Sequence, residues 1–466
     1  MSLKKTAIIN DPVHSVMKFG SDPITRKLMK SVIDTNEFQR LRHISQLGLA
    51  SYVFPGATHT RFSHSIGVLY LAGTVLTHLK ERNGVRIGDE YILEVKMSAL
   101  LHDIGHGPFS HSFEKVLAPL AKRYNFTPPS HEDWTRYFIL NDTAITEALK
   151  KCDTNLNIDR IASPFHDNKS KENVFPNYLK EIISSQIDVD RMDYLIRDSH
   201  FSGVEIGKID IQYLIHCLSI INHSDNVKTL GITRKGVNSY ETYLVARQFM
   251  NKMVYFHKKV KVYEYMMELF IQEVIENCDS LSKEFSIPPY LSKVSDLIKS
   301  SNNKEDAKPT PFKYSDYIDE YSKLTEDSIW TLITNVTNLK NPCHETLNKT
   351  YSLAKKLLIR EALPSFEIEY GKEFILDQCL KNKYDGKYEI LAVNTMAYRQ
   401  NKKQNRVFVT NDNETEIVEV STISNMISLI MDRPETNHIL VIVDQDNKII
   451  ESIKKIVQDN KLIFEM

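Results

Sequence analysis

The chain is poor in cysteine, with five in 466 residues (Cys152, Cys217, Cys278, Cys343, Cys379), scattered and without a CxxC pair. A disulfide framework and a closed thiolate zinc site are therefore excluded. Reduced thiols in a cytosol-like compartment fit, so a cytoplasmic location is expected. Neither sign of charge is in excess, with 59 Lys and Arg against 60 Asp and Glu. No global field recruits nucleic acid or an anionic membrane, and a polyanionic ligand must be held by a local cluster of Arg and Lys. The opening residues MSLKKTAIINDP lack the apolar run of a signal peptide, and no stretch is long enough to span a bilayer. Internal repeats and heptad arrays are absent as well.

Histidine is what the sequence does have. Eight of its 16 histidines (His43, His59, His64, His78, His102, His106, His111, His131) fall between residues 43 and 131. The densest run is HDIGHGPFSH, from His102 to His111. A His-Asp doublet ends an apolar helical stretch there. His64 lies upstream in RFSH, and Asp190 downstream in IDVDR. Neighbours on a helix point about 100° apart, so His102 and Asp103 share one ion only if it lies between their directions. Other helices must then supply the remaining ligands, and His64 and Asp190 are the candidates. Two imidazoles and two carboxylates suit one divalent ion (Mn, Mg, Fe, Ni or Zn) that polarises a phosphoryl oxygen or activates a water.

Two further groups accompany this set. His111 and Glu114 stand three residues apart, where a helical carboxylate can orient an imidazole for proton transfer, and His131 completes that layer. Asp190, Tyr194 and Asp198 fall at i, i+4 and i+8 of one helix face, with Arg191 beside them to neutralise phosphate. On spacing alone, Asp193 and Arg197 equally make an ordinary ion pair on the solvent side.

Hydrophobic periodicity predicts helices over most of residues 24–280, including Asp89–Ile104, 177–198 and a long one over 240–275. The polar stretch KSSNNKEDAKPTP at 299–311 predicts a linker or loop. Helices continue beyond it to about residue 362. Strand-like runs follow at Tyr388–Val393, Arg406–Thr410, Ile417–Val420 and His438–Val443, with a hairpin loop at 399–405. The fold class expected is mainly α: an all-α unit over 1–298 and an α+β region over 312–466.

The ordered motifs NDPVH (10–14), IDT (33–35), FQRLR (38–42), QLG (46–48), YVFPGA (52–57), RFSHS (61–65), HDIGHGPFSH and IDVDRMDYLIRD cover roughly residues 8–275. In them the chain resembles the HD-domain deoxynucleoside triphosphate triphosphohydrolases, in the branch of the SAM-and-HD-domain dNTPase and its bacterial relatives, without the SAM domain. The resemblance implies an HD-type helical core with His64, His102, Asp103 and Asp190 as metal ligands. It places His111, Glu114 and His131 in the catalytic layer, and Arg61 and Arg191 on phosphate. Gln46 and Asp198 would hold the sugar 3′-hydroxyl, and Tyr194 and Tyr255 would wall off a 2′-hydroxyl. Leu47 would lie under the base, and Arg247 would add a phosphate or base contact. The implied reaction is water attack on the α-phosphorus of a dNTP, releasing deoxynucleoside and tripolyphosphate.

The same resemblance implies a homo-oligomer, dimer or tetramer, activated by a guanine nucleotide at Asn10, Asp34 and Arg42. Ala7 and Pro364 depart from that pattern, standing where phosphate-binding lysines are expected. Two alternatives stay open: another HD-type phosphohydrolase (nucleotidase or phosphodiesterase), or a non-catalytic nucleotide sensor. Against a cyclic-dinucleotide phosphodiesterase, His106 stands where a Lys is usual after HDIG, and no GYP occurs.

Overall fold

The computed structural model describes residues 7–19, 23–82, 86–141, 143–152, 155–165, 174–223, 227–301, 309–339, 345–369, 371–394, 406–411, 416–431, 436–444, 446–460 and 462. The fold is mainly α, as the periodicity predicts. At its centre is the helix Arg61–Arg82, buried on nearly every side through Ile66, Val68, Leu69, Leu71, Ala72, Val75, Leu76 and Leu79. A helix apolar all round must be surrounded by other elements. Asp89–Leu101 and Val189–Ser202 pack along it.

Local chemistry fixes where these helices start. Asp89 and Glu90 sit in the first turn of the former, where carboxylates favour the positive end of the helix dipole. Asp188 caps the latter by accepting from the Arg191 N–H. Ser130 and Asp133 form a reciprocal capping box that starts His131–Leu140.

Two predicted helices are broken. The stretch 177–198 divides into Asn177–Ile183 and Val189–Ser202, because Asp188 also accepts from the Ser185 N–H and closes a turn. The long helix over 240–275 is interrupted after Val237–Met250 by a π-helical turn, Asn251–Tyr255, and resumes as Lys258–Glu276. Apolar periodicity runs through both breaks, which hides them from sequence. The π turn carries Tyr255 to the wall of the main cavity.

Hairpins also interrupt the helical front half, which the sequence reading took as all helical. One is β1 (Ala7–Asp11) with β2 (Ser15–Phe19), and the other is β3 (Leu218–His223) with β4 (Val227–Thr233). Strands β5 (Ser365–Ile368), β6 (Tyr388–Asn394), β7 (Phe408–Thr410), β8 (Ile417–Glu419) and β9 (Thr436–Ile442) follow. Four of these match the predicted runs to within two residues, and β5 was not anticipated. β7 pairs parallel to β4, giving a sheet of order β3-β4-β7-β8. β5-β9-β6 forms a second, antiparallel sheet whose core (Leu440, Ile442, Leu376, Leu380, Ile453, Val457) is covered by helices Glu373–Tyr384 and Asn447–Asp459. Residues 302–308 of the predicted linker and the predicted hairpin loop 399–405 lie outside the described residues.

Candidate active site

His64 and Asp190 come from two helices, and His102 and Asp103 from the turn after Asp89–Leu101, which ends short of the predicted Ile104; the four converge on one point. His64 Nε2 lies 3.0 Å from Asp190 Oδ1, 3.2 Å from His102 Nε2 and 3.7 Å from Asp103 Oδ2. His102 Nε2 lies 3.3 Å from Asp103 Oδ1 and 3.6 Å from Asp190 Oδ1. Each imidazole donates through the other nitrogen. His64 Nδ1–H bonds Asp193 Oδ2 at 2.7 Å, and His102 Nδ1–H bonds the Ala99 carbonyl at 2.9 Å. Both Nε2 atoms therefore turn toward the same two carboxylates. Ligands about 2.1 Å from one ion stand roughly 3.0–3.4 Å apart, so these separations and this donor set fit a single divalent ion. Burial alone would depress His64, yet its bonds to Asp190 and Asp193 push its pKa up to about 10.

Beside this cluster lies a layer of imidazoles. His106 and His131 stack with ring centroids 4.0 Å apart, and His111 meets both edge-on. Gly105 permits the stack, because a Cβ there would lie 2.1 Å from the His131 carbonyl oxygen. His131 Nδ1–H donates to Glu114 Oε1 at 2.6 Å, and His111 Nδ1 is 3.7 Å from the same oxygen. Burial disfavours the Glu114 anion, but bonds from His111 and His131 hold it well below the usual carboxylate range. Burial, with the charges of Arg61 and His131, holds His106 well below its ordinary value and hence neutral.

The loop carrying these groups is tightly held. Phe109 and Ser110 both have φ 58°, uncommon for non-glycine residues. Arg61 Nε donates to Ser110 Oγ at 2.9 Å, and Arg61 also pairs with Asp103. Arg40, from the FQRLR motif, donates to the carbonyls of Ile104 (2.8 Å) and His106 (2.9 Å). Buried Glu326 accepts from the Phe109 N–H (2.9 Å), the Ser45 N–H (2.8 Å) and Ser45 Oγ (2.7 Å).

Both clusters open on one cavity of about 760 Å³, large enough for a nucleotide. Its far wall is Gln46, Leu47, Tyr194, Asp198 and Tyr255. Asp198 is clamped: His59 Nε2–H donates to one oxygen (2.7 Å) and the Tyr255 hydroxyl to the other (2.8 Å). Tyr194 and Tyr255 meet edge-on at 5.9 Å and 83°. Gln46 Oε1 is buried without a hydrogen-bond partner among the described residues, which suits a group that waits for a ligand donor.

Residues 61–198 match the HD domain family, and residues 209–289 the HD associated region. The chain is 32% identical over 317 residues to the uncharacterized MG461 homolog of Mycoplasma pneumoniae, covering 66% of this chain and 70% of that protein. This chain belongs to the HD-domain family. It is 30% identical over 321 residues to the deoxynucleoside triphosphate triphosphohydrolase SAMHD1 of Bos taurus, covering 64% of this chain and 53% of that protein. The chain spans about half the length of the SAMHD1 relatives it matches. The crystal structure of a phosphohydrolase from Bacteroides thetaiotaomicron superposes with a TM-score of 0.70 at 25% identity, covering 94% of this chain and 100% of that one.

Not every candidate residue joins this HD-domain cavity. Arg191 bonds Asp188 and the Ser185 carbonyl, Arg247 bonds Gln186 Oε1 at 3.0 Å, and neither lines the cavity. Asn10, Asp34 and Arg42 are exposed and also stand away from its lining, with Arg42 lying 3.5 Å over the Phe62 ring. Asp193 and Arg197 do not face solvent, as spacing allowed, but are fully buried. Sequence reasoning missed His59, whose partner lies 139 residues away. It also missed Lys115 and Lys261 at the cavity, where each faces a glutamate: Glu268 at 3.9 Å and Glu264 at 2.6 Å. A lysine on a helix surface carries no motif that would have marked either.

Proposed function

We propose that this chain hydrolyses deoxynucleoside triphosphates to deoxynucleoside and tripolyphosphate. The observation that carries this reading is one cavity holding three things together. They are the ligand atoms of His102, Asp103 and Asp190 with His64 Nε2 directly behind them, the imidazole layer, and a clamped Asp198 with the unpartnered Gln46 oxygen. His64, His102, Asp103 and Asp190 would hold one divalent ion, which when bound supplies a Lewis acid toward a phosphoryl oxygen.

The chain's own groups do the rest. Asp198 accepts from the sugar 3′-hydroxyl and the Gln46 amide N–H donates to that hydroxyl oxygen, while Leu47 supports the base. The ring of Tyr255, fixed by its bond to Asp198, crowds the 2′ position and favours deoxyribose, with Tyr194 as the second wall. Arg61 offers its guanidinium to the α-phosphate from the cavity lining, and Lys115 and Lys261 place positive charge near the polyphosphate tail. Water adds to the α-phosphorus, the bond from phosphorus to O5′ breaks, and His111 delivers a proton to the departing O5′. Glu114 and His131 hold that proton donor in place.

We infer also that Asn10, Asp34 and Arg42 form a guanine-nucleotide site completed by a second copy of the chain. Their exposure, together with exposed Ile8, Ile9 and Val16 on the same hairpin as Asn10, supports a subunit boundary there.

The test is product analysis. The purified protein is incubated with Mn²⁺ and each dNTP, alone and mixed with GTP or dGTP, and products are separated by anion exchange. Deoxynucleoside with tripolyphosphate supports the reading, and turnover only in mixtures supports the activator site. Release of monophosphate or orthophosphate would favour another HD-type phosphohydrolase. Absence of product in every mixture would favour a nucleotide sensor.

A further inference from the structure

A buried chain of polar side chains leads from the N-terminal hairpin to His64. Asp193 stands at its centre, wholly buried on the Val189–Ser202 helix. One carboxylate oxygen accepts from His64 Nδ1–H at 2.7 Å, and the other from His14 Nε2–H at 2.5 Å. Arg197, one turn on, adds bonds to both oxygens at 2.8 and 3.0 Å. Arg197 in turn donates to Asp11 at 2.8 and 3.3 Å. Asp11 ends β1, and its side chain also accepts from the Val13 and His14 N–H groups at 2.9 Å each, which shapes the turn that presents His14. Gly67 leaves the room for this arrangement, since a Cβ there would lie 2.0 Å from Asp193 Oδ1.

The order of these bonds matters for what His64 can do. An Asp193 that accepts from Nδ1–H keeps the His64 Nε2 lone pair turned toward His102 and Asp190. Arg197 holds both oxygens of Asp193 from the same helix, whereas His14 holds the carboxylate from a separate element. The hairpin supplies the fixed point from outside that helix. Of its two contributions, Asp11 ends β1 and His14 is the last residue of the turn before β2.

We propose that the N-terminal hairpin is part of the metal centre, with His14 a positioning residue that acts on His64 through Asp193. The proposal rests on the reading of the four convergent residues as a metal site. Because coupling between two equilibria is reciprocal, an ion bound there also strengthens hairpin docking by the same factor. The hairpin is thereby a place from which events at the surface, where Ile8, Ile9 and Val16 are exposed, reach the metal.

The experiment measures Mn²⁺ binding by calorimetry on the full-length protein, with no nucleotide present. His14→Leu is expected to weaken Mn²⁺ binding by about 5- to 10-fold, below the roughly 10- to 100-fold of removing the ligand's own partner, because Arg197 stays on Asp193. His14→Gln, whose amide N–H can replace the imidazole donor, is expected to recover most of the affinity. Hydrogen exchange of residues 7–19 should slow when Mn²⁺ binds the unaltered protein. Melting of the metal-free variants separates positioning from folding: a structural role alone lowers that melting temperature yet leaves the Mn²⁺-induced rise intact. Mn²⁺ affinity of His14→Leu within twofold of the unaltered protein, or unchanged exchange in the hairpin, would overturn the proposal. Failure of the unaltered protein to bind Mn²⁺ in a way that His102→Ala abolishes would instead overturn the metal-site reading beneath it.

Discussion

His102 draws its role from three neighbours at quite different distances in sequence. Its Nδ1–H is held by Ala99, within the same turn, whereas its Nε2 meets His64 and Asp190 from distant helices. Replacing it by Ala removes one of the four proposed ligands and no core apolar group. His102→Ala should therefore cut turnover by about 10³-fold or more while circular dichroism and melting stay close to those of the parent. Near-normal activity would remove the proposed site. Tyr255→Ala should raise ribonucleotide turnover relative to dNTP turnover by roughly 10-fold, since it deletes both a steric wall and a donor to Asp198. Unchanged selectivity would remove its gate role. The convergence of His64, His102, Asp103 and Asp190 was legible because the HD doublet, RFSH and IDVD carry their chemistry in short motifs. His59 and Asp193 were not, because a lone histidine and a helical aspartate gain meaning only from partners 139 and 129 residues away.

Elements place these side chains by breaking as much as by continuing. The π turn at Asn251–Tyr255 and the cap at Asp188 each end a run whose apolar periodicity does not end, so the sequence showed the helices but not their joints. Glu326, at the start of the helix Glu326–Thr337, ties the Ser45 and Phe109 segments together from nearly three hundred residues away in one case. Glu326→Ala leaves two buried N–H groups without acceptors and should cost about 2–4 kcal/mol, read as a lowered melting temperature, with a drop in turnover beside it.

On the helix Lys258–Glu276, burial pushes Glu268 up to about 7, with Glu264 adding to the rise and Lys115 and Lys261 opposing it. Its folded pKa exceeds the unfolded value, so the folded state holds the extra proton between roughly pH 4.5 and 7. Stability should fall as pH rises through that window and level off above it. Glu268→Gln should remove the decline, and at pH 8 should melt higher than the parent by the equivalent of roughly 1–3 kcal/mol. Equal pH dependence in the two proteins would refute this.

For the whole molecule, the fold class was legible from helical periodicity and four of the late strands from their alternation. The parallel pairing of β7 with β4 was not, since it joins segments whose Ile232 and Val409 are far apart in sequence and carry no mutual signal. The same holds for the packing of Tyr321, whose hydroxyl donates to the Gly105 carbonyl at 2.7 Å and whose ring stacks on Trp134. Through such contacts the later part of the chain supports the HD loop and the candidate site on it. The central claim is where the bond breaks. Turnover of a dNTP in H₂¹⁸O, with products resolved by mass spectrometry, reads this directly. Attack at the α-phosphorus places one ¹⁸O in tripolyphosphate and none in the deoxynucleoside. Label in orthophosphate, or in a nucleoside monophosphate, would contradict the account.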